Sequence, residues 1–180
     1  MGEKAPAGGP TQDEIMAVSL FRLEIRPTDI VFDIGCGTGK VAVAMAARAK
    51  KVYAVDRRPE AIAYAQEAAR KAGVTNIEFV CGDAAAFLRT APVADCAFVG
   101  GSREIEAFLP ALAEKVKRMI VVNAVLVSTL ATVTDAMQTL GIFSDSILVQ
   151  AARSYPLGKS MMFKPIDPVY IIVGRGTACS

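Results

Sequence analysis

"IVFDIGCGTGK", Ile30 to Lys40, is an apolar run that ends in three glycines, Gly35, Gly37 and Gly39, with a lysine directly behind them. A buried strand feeding a glycine-rich turn is a ligand-binding device of α/β proteins, because glycine lets the backbone approach a ligand with no Cβ in the way. The spacing decides which ligand it suits. A triphosphate loop has the form GxxxxGK followed by Ser or Thr, whose hydroxyl binds magnesium. Counting back from Gly39 puts Ile34 where the first glycine should stand, and Lys40 is followed by Val41. A dinucleotide fingerprint is GxGxxG, with its third glycine one position later than Gly39. Neither pattern is met, and Lys40 reads as an ordinary first-turn helix residue.

From residue 30 onward the chain alternates short β-branched runs with longer alanine-rich segments of helical period, the pattern of βα units on a parallel sheet. Strands are predicted at Ile30–Ile34, Lys51–Val55, Ile77–Val80, Asp95–Val99 and Arg118–Val122, and helices at Lys40–Ala49, Pro59–Ala72, Ser102–Lys115 and Val127–Leu140. Pro59 suits a first helical position and Gly73 a C-terminal stop. Upstream, Thr11 followed by Glu14 and apolar residues at helical spacing predicts a capping box on a leading helix. After Gly141 the alternation stops. Two β-like runs, Ser144–Ala151 and Val169–Val173, flank a loop-like stretch that holds three prolines and the basic residues Arg153, Lys159 and Lys164. One domain over residues 1–180 is expected, with residues 1–9 a flexible tail.

Composition removes several kinds of chemistry. The 180 residues include no histidine, so Ser-His and Cys-His nucleophiles and histidine metal sites are ruled out. The four cysteines, Cys36, Cys81, Cys96 and Cys179, form no CxxC pair and sit in or beside apolar runs, as reduced core thiols do. No metal cluster and a cytoplasmic location are expected. Lys and Arg total 20 against 18 for Asp and Glu, a balance that disfavours extended nucleic-acid binding. No apolar run approaches the 18 residues of a membrane span, so no membrane role is expected.

The triplet Phe32-Asp33-Ile34 running into GxGxG resembles the first motif of class I S-adenosylmethionine (SAM)-dependent methyltransferases. That resemblance implies a Rossmann-like, mostly parallel seven-stranded sheet with an antiparallel C-terminal hairpin, and SAM as cofactor. Asp33 would orient the turn or meet the methionine ammonium. Asp56, at the end of "VYAVD", stands where a carboxylate accepts both ribose hydroxyls, although dinucleotide enzymes place an acid there too. Gly82-Asp83-Ala84 resembles the segment that packs along the adenine, with a helix N-cap as the other reading of Asp83.

After the fourth strand comes "FVGGSREIEAF", with Gly100-Gly101-Ser102 where enzymes that methylate base nitrogens carry Asp or Asn followed by two prolines. That points to a carbon acceptor. Together "GGPTQDE", "VFDIGCGTGKVAVAMA", "VYAVDRRPEAI", "GDAAAF", "FVGGS" and "ARSYPLGKSMMFKPIDPVYII" resemble, in order and from about Pro10 to Val173, the decarboxylating cobalt-precorrin-6B (carbon-15) methyltransferases of cobalamin biosynthesis. The resemblance implies SAM contacts at Thr11, at Gly35, Cys36, Gly37, Thr38 and Gly39, at Asp56 and at Ala84. It implies a tetrapyrrole substrate, any cobalt arriving with it, a homotetramer, and a separate carbon-5 methyltransferase as a candidate partner. Ser102, Arg153, Lys159 and Lys164 are the candidate substrate contacts, the three cations for its carboxylates; solvated loop charge is the alternative for each. Met161 and Met162 are expected in a core or a subunit contact. The family commonly has further glycines after GGS, where this chain has Arg103-Glu104. A small RNA methyltransferase and a non-catalytic SAM-binding module are the competing readings.

Overall fold

The run that opens the glycine motif is the central strand. β1 (Ile30–Ile34) is buried on both faces, which is why its sequence is continuously apolar rather than alternating. The computed structural model describes residues 9–178; all but the last residue of the expected tail, and Cys179, lie outside them. Around β1 the elements run α1 (Asp13–Leu23), α2 (Lys40–Ala46), β2 (Lys51–Asp56), α3 (Pro59–Lys71), β3 (Ile77–Cys81), α4 (Ala84–Thr90), β4 (Ala94–Val99), α5 (Ile105–Lys115), β5 (Val116–Ala124), α6 (Val127–Thr139), β6 (Phe143–Val149), β7 (Ala152–Leu157), β8 (Ser160–Pro165) and β9 (Val169–Arg175).

Seven strands form one sheet in the order β3-β2-β1-β4-β5-β9-β6, and β9 alone runs opposite to the other six. The fold class is the Rossmann-like one that the motifs imply. The chain winds outward from β1 through β3, then returns to place β4 on the other side of β1, so a topological switch point opens above the carboxyl ends of β1 and β4. Each sheet face buries its own core. Phe32, Ile34, Leu88, Leu109, Leu112 and Val133 pack on one side; Ile15, Leu23, Val41, Met45, Phe98 and Ile171 pack on the other.

Three local expectations need correction, and a fourth, for Met161 and Met162, loses only its core alternative. Thr11 caps nothing: the N-cap of α1 is Gln12, without a side-chain cap, and the Thr11 carbonyl instead accepts from Lys40 Nζ at 2.7 Å. The loop-like stretch is a two-stranded antiparallel ribbon, β7 paired with β8, turning at Gly158, where φ is +59°. Pro156 and Pro165 are tolerated because this ribbon lies outside the main sheet and its outer edges need no ladder partner. Met161 and Met162 are exposed on it rather than packed in a core. Cys36 and Cys96 are buried free thiols, but Cys81 ends an edge strand and is exposed.

Candidate functional site

Gly35 sits at φ +76°, and a Cβ there would come within 2.6 Å of the Gly101 amide nitrogen and 2.8 Å of its Cα. Gly100 returns the constraint, because its own Cβ would meet the Gly35 carbonyl oxygen at 3.1 Å. The glycine turn after β1 and the GGS segment after β4 are therefore one floor, joined further by the Gly100 amide donating to the Ile34 carbonyl at 2.9 Å. A side chain at either place would fill the switch point. Gly39 serves helix packing instead, since its Cβ would strike Ala65 Cβ at 2.7 Å and hold α2 away from α3.

Above this floor lies a cavity of about 790 Å³, ample for a cofactor together with part of a second molecule. Of the residues for which the resemblance implies SAM contacts, Thr11, Gly35, Cys36, Gly37, Thr38, Asp56 and Ala84 line it. Gly39, Ser102, Arg153, Lys159 and Lys164 are not among the lining residues. Arg153 lies on the ribbon and is committed elsewhere, donating to Glu14 from Nε at 2.9 Å and from Nη2 at 2.8 Å.

Two carboxylates give the cofactor side its electrostatics. Asp56 is held by the Gly37 amide, the Arg58 amide and the Arg58 guanidinium, each at 3.0 Å. Burial alone would raise the Asp56 carboxyl, but the Arg58 and Gly37 donors outweigh it and keep it below the usual carboxylate range. Asp33 is fully buried on β1, and among the described residues neither of its oxygens has a hydrogen-bond partner. Burial pushes it up to about 7; the nearby Ala42 N–H, short of hydrogen-bond geometry, opposes this, and the Asp56 charge adds to it. Burial likewise drives the Cys36 thiol far above its ordinary range, so it supplies no thiolate nucleophile. Asp83 is the N-cap of α4, its carboxylate accepting from the amides of Ala85 at 2.9 Å and Ala86 at 3.1 Å.

This arrangement fits SAM better than a dinucleotide. The amides of Gly35, Cys36, Gly37 and Gly39 all donate within the protein, to Val55, Val55, Asp56 and Cys36 respectively, and offer nothing to a pyrophosphate. A buried, unpartnered carboxylate in the wall repels an anion and attracts a sulfonium or ammonium. Among the described residues, no group of three or more acidic or cysteine side chains is placed to hold a metal ion.

The other side of the cavity escaped the reading of the motifs. It is walled by Phe108 of α5, Val125 after β5, and Ile166 and Val169 around the start of β9, with Arg103 and Asn123 as polar members. Arg57 and Arg103 are lining cations without an ion-pair partner among the described residues. Asn123 had left a trace, a single polar residue inside the apolar run "IVVNAVLV". Next to Arg103, Glu104 adopts φ +56°, a left-handed backbone that glycine enters at far less cost.

The sequence matches the precorrin methyltransferase domain over residues 6–174. The chain belongs to the precorrin methyltransferase family. One family relative, from Methanosarcina mazei, is 42% identical over 174 residues, covering 94% of this chain and 95% of its own length, and is named a probable cobalt-precorrin-6B C(15)-methyltransferase (decarboxylating). Among solved structures, a precorrin 8W decarboxylase from Methanobacterium thermoautotrophicum superimposes with a TM-score of 0.88 at 32% identity, over 94% of this chain and 92% of that one. A precorrin-6y C5,15-methyltransferase from Geobacter metallireducens gives 0.90 at 26% identity, over 96% and 94%.

Proposed function

We propose that this chain methylates carbon 15 of cobalt-precorrin-6B, or of its cobalt-free counterpart, and releases the ring C acetate as carbon dioxide, a step of cobalamin biosynthesis. The observation that carries the reading is a single cavity joining a glycine-floored, acid-lined half to a half with apolar walls and an arginine, Arg103, without an ion-pair partner among the described residues. SAM, when bound, supplies an electrophilic methyl on its sulfonium. Asp33 faces the cationic end of that cofactor, Asp56 takes the ribose hydroxyls in exchange for part of its contact with Arg58, and the turn from Gly35 to Thr38 passes beneath it. Asp83 works as the cap that fixes α4 and so brings Ala84 to the adenine side.

On the other half, Phe108, Val125, Ile166 and Val169 present flat apolar surface to a macrocycle, and Arg103 meets one of its carboxylates. Holding carbon, methyl and sulfur in line is worth roughly 7–11 kcal/mol, so no histidine is required. The acceptor carbon's electron pair would form the new C–C bond to the methyl while the S–CH3 bond breaks and its electrons stay on sulfur, which would leave as neutral S-adenosylhomocysteine. In the second step the bond to the carboxylate breaks, its electrons neutralise the ring left cationic by methylation, carbon dioxide leaves, and the decarboxylated arm takes a proton from water as the ring gives one up.

The ribbon supports assembly. All residues of β7 and β8 are exposed, Leu157, Met161 and Phe163 among them, and a lone two-stranded ribbon is marginally stable in water. We assign it to contacts within a homotetramer; a monomeric mass in sedimentation equilibrium would refute that. Calorimetry tests the cofactor: SAM and S-adenosylhomocysteine bind and NAD does not, whereas tight NAD binding without SAM binding overturns the proposal.

A further inference from the structure

One wall of the cavity comes from outside the βα units. Gly9, Pro10, Thr11 and Gln12 precede α1, belong to no helix or strand, and line the cavity. The Gln12 carbonyl is tied into α1 by the Met16 amide at 2.9 Å. Ahead of it, among the described residues, one hydrogen bond reaches the backbone of Gly9, Pro10 and Thr11: Lys40 Nζ donates to the Thr11 carbonyl at 2.7 Å.

Lys40 is well rooted for that task. It is the first residue of α2, directly after Gly39, whose close approach to Ala65 seats the helix. Val41, Ala42, Met45 and Ala46 behind it are buried, so core packing holds the lysine backbone in place. Its side chain lines the cavity and crosses to the start of α1, where the ammonium meets two acceptors, the Thr11 carbonyl and Asp13 Oδ1, each at 2.7 Å. An ammonium carries three donors, so both bonds form at once. Asp13 is 69% exposed, and an ion pair of that kind adds little stability. What the lysine fixes is the place of a short segment, by a charge-assisted bond to a carbonyl that has no other partner among the described residues.

We propose that Lys40 is a positioning residue for the cofactor: by holding the Thr11 carbonyl it sets residues 9–12 as a wall against SAM bound over the glycine turn. The inference rests on the function proposed above, which makes SAM the ligand of this half. A floor of glycines has no side chains to close over a ligand, and the segment ahead of α1 supplies that wall. The lysine behind the glycine motif thus serves the ligand without binding a phosphate.

Lys40→Met and Lys40→Arg in the full chain test it. Methionine keeps an unbranched apolar stem and loses every donor; arginine keeps charged donors. Calorimetry reads SAM affinity, and the order parameters of the Thr11 and Gln12 backbone amides in the ligand-free protein read how firmly the segment is held. Lys40→Met is expected to melt with the wild type, to bind SAM about tenfold more weakly, and to lower both order parameters from about 0.85 towards 0.6. In Lys40→Arg, affinity and order recover together. The proposal is overturned if Lys40→Met binds SAM as the wild type does, or if affinity falls while both order parameters stay at their wild-type values, because the lysine would then touch the ligand itself. It is also overturned if arginine restores the order without the affinity. A wild type that binds no SAM would instead defeat the functional reading itself.

Discussion

Over β1, β2 and β3 the cavity is floored by backbone and edged by carboxylates, whereas over β4, β5 and β9 it is walled by side chains drawn from segments scattered between residues 103 and 169. The first half works by what is missing, since Gly35 and Gly100 leave no room for a Cβ against each other's turns. The second works by what is present: Phe108, Val125, Ile166 and Val169 for surface, Arg103 for a polar contact. A cofactor shared by many enzymes can be held by backbone geometry, and a particular substrate has to be met by particular side chains.

That contrast can be broken at several points. The largest effect is expected from Gly35→Ala, which forces a left-handed residue against the Gly101 backbone; about 2–5 kcal/mol of stability is lost along with SAM binding, read by denaturant titration and calorimetry. Asp33→Asn comes next and carries a sign. An acid whose folded pKa, about 7, lies above its unfolded value near 4 contributes stability at low pH that is lost as pH rises through 7. Whatever the fixed cost of the buried amide, the difference between variant and wild type shifts in the variant's favour from pH 4 to pH 8, by on the order of a few kcal/mol. Parallel stability curves would show that Asp33 does not titrate in this window. Asp56→Ala removes the proposed ribose acceptor and the carboxylate that Arg58 pairs with, weakening SAM by about 10- to 100-fold in calorimetry; unchanged affinity would take Asp56 out of the site. The smallest effect probes the other half: Arg103→Ala raises KM for the macrocycle roughly fivefold, about 1 kcal/mol for an exposed cation, without altering the SAM dissociation constant. Arg153→Ala, on the ribbon, changes neither. If Arg153 moved KM and Arg103 did not, the substrate half would have been placed wrongly.

The same contrast explains what could be read in advance. Strand, turn and helix around Ile30–Lys40 were legible because periodicity and glycine spacing are local, and Asp56 followed from its place at the end of the next strand. The helix α4 went unread: it is only seven residues long and starts from Asp83, whose cap role was one of two open readings. Ribbon β7–β8 was hidden by its prolines, which argue against a strand inside a sheet but not against one at a free edge. The substrate cations were sought in the basic stretch near Arg153 because charge clusters are visible in sequence. Arg103 is a single residue whose position depends on how β4 hands over to α5.

The central claim is a coupled methylation and decarboxylation at one carbon. Anaerobic incubation of the chain with cobalt-precorrin-6B and SAM, followed by mass spectrometry of the tetrapyrrole, reads both events in one product. The expected product has gained one methyl and lost one carboxyl as carbon dioxide, with S-adenosylhomocysteine formed in equal amount. A methylated product that retains every carboxyl, or a macrocycle returned unchanged by a chain that binds SAM, would contradict it.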